Sequence, residues 1–254
     1  MNQILNISAY LFTELGDASA LRQPLFERAQ RLGLKGTVLL AREGINLFLA
    51  GGPAQVREWL DALRTDPRLA SVQAKESWSE SMPFKRLRVK IKAEIIRMNH
   101  PTVRPAAQRA PALSPTIVRR WLDQGHDDAG RPVVTLDTRN GFEVDYGAFR
   151  NAIDWRLAKF SDFPQAAKQH LDELRGKTVI SYCTGGIRCE KAAIYLQELG
   201  LDSVYQIEGG ILKYFEEIGA AHFSGDCFVF DEREALSSEL QPADRKSTRL
   251  NSSH

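Results

Sequence analysis

The segment that decides the fold spans residues 178–200 and has the sequence TVISYCTGGIRCEKAAIYLQELG. It opens with Thr178–Tyr182, a run of apolar and β-prone residues that is typical of a strand buried on both faces. Beyond a short loop, a second apolar series predicts a helix from about Arg188 to Leu199, which ends at Gly200. A buried strand followed directly by a helix indicates a parallel sheet covered by helices.

The loop between this strand and this helix carries the chemistry. Cys183 lies at the carboxyl end of the strand, where ligands bind in α/β sheets. The positive end of the following helix and the charge of Arg188 favour the thiolate form of the cysteine. Backbone N–H groups of the intervening residues can surround an anionic sulfur, and the glycines allow the tight path and positive φ. The predicted active-site loop comprises Cys183, Thr184, Gly185, Gly186, Ile187 and Arg188.

Within this loop, Cys183 is predicted to be the reactive nucleophile and Arg188 its catalytic partner. Four residues separate the two, one fewer than in cysteine phosphatases, whose loop encloses a tetrahedral phosphate. The smaller ring suits sulfur chemistry, so phosphatase activity is not expected. A buried, inert cysteine would be the better reading of an isolated thiol, but the strand–loop–helix context argues against it.

Three further residues are expected near the loop. Asp137 and Arg139 follow the end of another apolar strand, and the carboxyl ends of parallel strands meet at one edge of a sheet. They are expected to form a salt bridge that serves as a scaffold. The alternative for Arg139 is that it holds the active-site loop in its conformation. Cys189 begins the predicted helix and is expected to be a packed thiol. Its alternative role is to resolve an oxidised Cys183.

The first hundred residues predict a different kind of domain. Apolar segments follow each other in the order β-α-β-β-α-β, which matches a ferredoxin-like split βαβ fold. The predicted segments are residues 4–12, 17–32, 37–41, 46–50, 53–63 and 86–92. The chain is therefore predicted to combine a ferredoxin-like α+β domain with a parallel α/β domain.

The last of these segments alternates strictly between cations and apolar residues. In an extended strand, its four cations share one face and its apolar residues share the other. Such a row can follow a phosphate backbone; it can equally be a solvated outer face that discourages edge pairing. The cations of this candidate nucleic-acid face are Arg86, Arg88, Lys90 and Lys92, flanked by Lys85.

Composition changes mark the domain boundaries. Four prolines and a loss of apolar periodicity indicate an extended linker over 99–115. The predicted divisions are a ferredoxin-like, acylphosphatase-like domain at 1–98, an α/β domain at 116–224, a C-terminal segment at 225–243 and a tail at 244–254. The tail lacks apolar periodicity and resembles a translated sequencing adapter, so we expect it to be an artefact.

Charge and cysteine content narrow the classes of protein. Residues 1–100 hold 15 Lys/Arg against 10 Asp/Glu, whereas residues 129–243 hold 12 against 18, which indicates a basic binding module joined to an acidic one. Three cysteines argue against a disulfide framework and for a reducing cytoplasm, and the histidines show no metal spacing. We expect no membrane span and no secretory signal.

Several motifs resemble known families. Residues 134–140, VTLDTRN, together with Glu143 resemble the rhodanese "DxR…E" segment. Residues 182–192, YCTGGIRCEKA, are more specific and resemble the rhodanese-like tRNA uridine hydroxylases. The segments YQIEGGI at 205–211, KGTVLLAREGIN at 35–46 and MPFKRL at 82–87 resemble the same family. The resemblance covers roughly residues 4–235. Many members continue further, so the segment 225–243 is expected to be truncated.

The resemblance implies oxygen-dependent hydroxylation of the wobble uridine, position 34 of tRNA, to 5-hydroxyuridine. Cys183 matches the essential cysteine of the family, acting either as a thiolate that adds to C6 of the uracil or as a persulfide. Molecular oxygen is then a co-substrate and tRNA the partner, with no role for DNA. No bound cofactor is expected, because no flavin, haem or iron motif is present; the reductant and oligomeric state stay open.

Two rival functions remain from the sequence. One is a rhodanese-type sulfurtransferase or persulfide carrier, which uses the same cysteine. The other is a non-catalytic module that binds tRNA or another partner, although the presence of both Cys183 and Arg188 counts against it. With tRNA as the implied partner, RNA binding becomes the favoured interpretation of the cationic strand at 86–92.

Overall fold

The computed structural model describes residues 3–243, and the predicted tail at 244–254 lies outside them. The chain divides into two compact units, Met1–Arg109 and Ala110–His254. The division falls inside the segment predicted as a linker. Within the described part of the chain, no helix combines the length and the apolar character that crossing a membrane requires.

The first unit contains a five-stranded sheet with two helices. The elements are β1 (Ile4–Phe12), α1 (Ala18–Arg31), β2 (Lys35–Ala41), β3 (Gly44–Gly51), α2 (Pro53–Leu63), β4 (Ala74–Ser79) and β5 (Leu87–Ile91). The strands lie in the order β4-β1-β3-β2-β5. Alternate residues of the central strands and the apolar faces of both helices form one core around the fully buried Trp59. The predicted ferredoxin-like fold is confirmed.

The strand that completes the β-α-β-β-α-β order was assigned wrongly from the sequence. It is β4, which pairs antiparallel with β1, and not the segment at 86–92. That segment forms β5, an additional edge strand parallel to β2. The sequence of β4, AKESWS, escaped prediction because only Ala74 and Trp78 pack against the core and the other positions are polar.

The second unit is built around a five-stranded parallel sheet in the order β6-β11-β10-β7-β9. Its strands are β6 (Ala112–Leu113), β7 (Val133–Asp137), β8 (Gly147–Phe149), β9 (Ile153–Asp154), β10 (Thr178–Tyr182), β11 (Val204–Ile207), β12 (Phe223–Gly225), β13 (Cys227–Phe228) and β14 (Ala235–Leu236). Its α-helices are α3 (Pro115–Gln124), α4 (Gly141–Val144), α5 (Phe163–Gln169), α6 (Leu171–Leu174), α7 (Ile187–Glu198) and α8 (Gly210–Ile218). Every residue of the central β10 is buried, so the predicted parallel α/β domain is confirmed.

Both ends of this unit extend beyond the predicted α/β domain. The last residues of the predicted linker form β6, which pairs with β11, because Leu113 buries its side chain in the core. Ser114 then caps α3 by accepting a hydrogen bond from the Ile117 N–H (3.4 Å). At the predicted domain end, β12 pairs with β8, and beyond it β13 and β14 form a hairpin. Residues 225–243 are thus built into the second unit.

Candidate active site

The active-site loop is held at its base by backbone contacts. It leaves the end of β10 and enters α7, and the first turn of α8 donates hydrogen bonds to it: Ile211 N–H to the Cys183 carbonyl (2.9 Å) and Leu212 N–H to the Thr184 carbonyl (3.1 Å). Gly210 has a φ of +68°, and a Cβ built there would lie 2.4 Å from the Cys183 carbonyl oxygen. Only glycine therefore allows α8 to approach the loop so closely.

The backbone of the loop curls around the Cys183 sulfur as the sequence predicts. Gly186 N–H donates to Cys183 Sγ (3.1 Å). Gly186 has a φ of +99°, but Gly185 is not in the left-handed region, so only one of the two glycines is needed for its backbone conformation. The Cys183 side chain is fully buried, so a substrate reaches the sulfur only when the surrounding groups move.

The site favours the thiolate of Cys183. Burial by itself raises the pKa of this thiol. A hydrogen bond from the Cys189 thiol, the positive charge of Arg188 and the N–H groups of Arg188 and Gly186 outweigh burial and lower the pKa of Cys183 to about 5. At neutral pH the sulfur is therefore ionised, which is the form that acts as a nucleophile.

Arg188 is positioned by a buried carboxylate. Its guanidinium donates two hydrogen bonds to Glu143, one from each terminal nitrogen, at 2.6 and 2.7 Å. Glu143 is fully buried and also accepts from the Asn140 N–H (3.0 Å). The carboxylate raises the pKa of Arg188 above its usual value even though burial lowers it. The pair thus fixes a permanent positive charge beside the sulfur.

Asp137 and Arg139 make the contacts of a scaffold. Both side chains are fully buried, and Arg139 Nη2 lies 2.6 Å from Asp137 Oδ2 and 2.7 Å from the Gly147 carbonyl. Between them, Thr138 donates its N–H (3.0 Å) and its hydroxyl (2.9 Å) to the Tyr182 carbonyl, the last residue before Cys183. This arrangement locks the end of β7 to the end of β10.

The other two cysteines are buried neutral thiols. Burial, followed by the negative charge on Cys183, raises the pKa of Cys189 well above its usual value. Thr138 Oγ1 lies 3.6 Å from Cys189 Sγ. Burial raises the pKa of Cys227 to about 12. Cys189 lies in the structure as the buried, packed thiol favoured from the sequence, and its hydrogen bond to the Cys183 sulfur contributes to the low pKa of Cys183.

The cationic strand lies in the first unit. Arg86, Arg88, Lys90 and Lys92 are all exposed, whereas Val89 between them is buried at 4% exposure. The backbone hydrogen bonds between β5 and β2 continue past both ends of β5. The Gly36 N–H donates to the Arg86 carbonyl, and the Lys92 N–H donates to the Leu40 carbonyl. The predicted alternation holds except at Ile91, which is 41% exposed because β5 is an edge strand.

The sequence named several residues of the site without revealing what they do there. Thr138 and Gly210 lie inside the quoted segments VTLDTRN and YQIEGGI, but only the structure shows that Thr138 donates its N–H and hydroxyl to the Tyr182 carbonyl and that Gly210 lets α8 approach the loop. The hydroxyl of Thr184 donates to the Phe228 carbonyl (3.3 Å), a contact between residues far apart in the chain. The resemblance pointed to Glu143, but only the structure shows that it pairs with Arg188.

A parallel sheet with an ionised cysteine in a short loop between its central strand and a helix defines a rhodanese-like domain. Residues 114–217 match the family described as Rhodanese-like domain. Residues 4–95 match the family described as UPF0176 acylphosphatase like domain. The two matches fall in the second and first units of the structure, respectively.

Comparison with whole proteins defines the family more narrowly. The chain is 62% identical to the tRNA uridine(34) hydroxylase of Delftia acidovorans over 240 residues, which are 94% of this chain and 91% of that protein. It is 60% identical to the protein of the same name from Variovorax paradoxus, with the same coverage. It is 59% identical to that from Bordetella petrii over 243 residues, 96% of each chain. The chain therefore belongs to the tRNA uridine(34) hydroxylase family.

Proposed function

We propose that this protein hydroxylates C5 of the wobble uridine in tRNA, with molecular oxygen as co-substrate and Cys183 as the reactive group. The relatives named above carry this activity in their names. The observation that carries the chemistry is the geometry of the loop: the buried Cys183 sulfur accepts the Gly186 N–H at 3.1 Å, and the positive charge of Arg188 helps to lower the pKa of the thiol. Because the substrate is tRNA, we place the protein in the cytoplasm.

The overall reaction replaces the C5–H bond of uracil with a C5–OH bond. One oxygen atom of O₂ enters the base, and the other leaves as water after taking up two electrons and two protons. A two-electron donor is therefore a further reactant.

Cys183 has two roles that fit this chemistry. Addition of the thiolate to C6 of the uracil ring would place negative charge on C5 and open it to an oxidant, and later elimination would restore the free thiolate. In the second role, Cys183 carries a persulfide. Both begin from an ionised sulfur surrounded by N–H donors, and Arg188 stabilises the negative charge in either case. A persulfide on Cys183 would also be the intermediate of a rhodanese-type sulfurtransferase, the alternative function.

The decisive experiment expresses variants in a strain that lacks the protein and quantifies tRNA nucleosides by mass spectrometry. We expect Cys183→Ser to remove 5-hydroxyuridine and to keep nearly full tRNA affinity. Cys227→Ala, which removes another buried thiol, is the matched control and should retain the product. Full hydroxylation by Cys183→Ser would refute the proposed role of the cysteine. Loss of a thiolated base instead of 5-hydroxyuridine would assign the protein to the sulfurtransferases.

We also propose that the exposed cations of β5 contact tRNA phosphates. Arg88 and Lys90 lie on one face of the strand, while Val89 anchors the other face in the core. Substituting the cations therefore leaves the packing of the first unit intact. The alternative is a solvated face that only protects the edge of the sheet.

A further inference from the structure

An aromatic cluster lies exposed on the second unit. Among residues 3–243, three large apolar side chains are exposed, and two of them belong to this cluster: Phe142 at 48% and Phe230 at 51%. The three phenylalanine rings contact one another edge to face, with centroids 5.2 Å apart for Phe142 and Phe228, 5.1 Å for Phe228 and Phe230, and 6.4 Å for Phe142 and Phe230. The Tyr146 ring also contacts Phe228, at 5.1 Å. Exposed apolar groups gathered in this way mark a binding surface more often than chance.

The cluster is held by ordered backbone. Val229, between Phe228 and Phe230, is buried at 6% exposure, whereas Phe230 is 51% exposed. Beyond Phe230, the Arg233 guanidinium lies 2.6 Å from Asp231, and their side chains are only 9% and 4% exposed. The Val229 N–H donates to the Glu234 carbonyl (2.8 Å). These contacts fix the turn, so the rings are positioned before any ligand binds.

The cluster is connected to both ends of the active-site loop. At the start of the loop, the Thr184 hydroxyl donates to the Phe228 carbonyl (3.3 Å). At its end, Arg188 pairs with Glu143, the residue next to Phe142 in α4. The exposed rings therefore border the residues that hold Cys183.

We propose that Phe142, Phe228 and Phe230 form a stacking platform for an unpaired base of the tRNA anticodon loop, in which the base lies on one exposed ring face and meets the perpendicular ring beside it with its edge. This inference rests on the proposed function. A base must leave its stack to reach a buried sulfur, which costs free energy. Proteins bind single-stranded RNA by stacking unpaired bases on aromatic rings, and such contacts next to the active-site loop offset that cost.

The first test measures the affinity of the full chain for a tRNA anticodon stem-loop. Phe142→Ala and Phe230→Ala should each weaken binding by about 5- to 150-fold, which corresponds to the roughly 1–3 kcal/mol per stacked base. Phe230→Tyr should bind like the wild type because it keeps a flat ring. Phe230→Leu should bind weakly, since it keeps apolar volume without a ring. A merely structural cap would tolerate leucine and tyrosine alike.

The second test locates the contact. A stem-loop with 5-iodouridine at position 34 should form photo-cross-links to peptides that contain Phe142 or Phe230, and Phe230→Ala should reduce them. Affinities within twofold of the wild type for both alanine variants, with cross-links elsewhere, would overturn the proposal. The proposal would also be overturned if the alanine variants lost self-association or binding to another protein while their RNA binding stayed unchanged. A different result is that the wild type binds the stem-loop more tightly than the alanine variants and yet makes no 5-hydroxyuridine. That result would refute the proposed function, but the stacking platform would still be supported.

Discussion

The hydrogen bond from Cys189 to Cys183 gives a quantitative test of how the site ionises its nucleophile. Cys189→Ala removes the donor and leaves the charge of Arg188 and the N–H of Gly186 in place. A hydrogen bond to a charged group contributes about 1.5–3 kcal/mol, and one pKa unit corresponds to about 1.36 kcal/mol. We therefore expect the pKa of Cys183 to rise from about 5 by roughly one to two units.

The chain offers a matched control at the same position. Cys189→Ser keeps a donor, because its hydroxyl can bond the Cys183 sulfur as the thiol does. We expect its pKa to stay close to that of the wild type. Both substitutions remove the buried sulfur of Cys189, so a difference between them reports the hydrogen bond and not the lost volume.

Thiolate absorbance in the ultraviolet, followed against pH, measures this pKa. The other thiols do not interfere below about pH 9, because the pKa of Cys227 is about 12 and that of Cys189 lies well above its usual value. The thiolate forms as the pH rises through about 5 and is the dominant form at neutral pH. An unchanged pKa in Cys189→Ala, or equal shifts in both variants, would refute the assigned role of Cys189.

Three further predictions concern the frame and the surface. Glu143→Ala leaves the Arg188 charge buried without its partner and should lower the free energy of unfolding by about 3–5 kcal/mol; a urea titration that shows no loss would contradict the buried pair. Gly210→Ala places a methyl group 2.4 Å from the loop backbone and should lower both the melting temperature and the hydroxylation rate, whereas wild-type values would show that the loop can yield. Arg88→Ala with Lys90→Ala should weaken tRNA binding and flatten its salt dependence by roughly 0.7–0.9 log units per lost contact; identical titrations would remove β5 from the RNA path.

The sequence predicts the frame of the site because its strongest patterns lie there. The sequence of β10, a run of apolar and β-prone residues, indicated a central strand, and all five of its residues are buried. Helix α7 begins at Ile187, one residue before the predicted start. The chemistry of the loop followed from residue types at fixed spacing, which a sequence displays directly.

Other features depend on contacts that the local pattern does not encode. Strand β4 is polar on one side and weakly apolar on the other, so pairing with β1, and not propensity, makes it a strand. Strand β6 has two residues and lies in a proline-rich stretch. The exposure of Phe230 was hidden in the same way, since an apolar run such as CFVF predicts burial unless its alternation is resolved in three dimensions.

The two proposals together assign RNA binding and reaction to different groups of the site. Cys183 is fully buried, so it contributes little contact area to an incoming RNA, whereas Phe142 and Phe230 are half exposed next to residues that hold the active-site loop. Binding energy gained on the aromatic cluster can therefore be used to hold an unstacked base near the sulfur. If base stacking serves this purpose, its loss should raise KM and, where the base is no longer held in place, lower kcat as well. Loss of the Cys189 hydrogen bond should instead shift the pH dependence of the rate at unchanged tRNA affinity, because it alters the ionisation of Cys183 and touches no RNA.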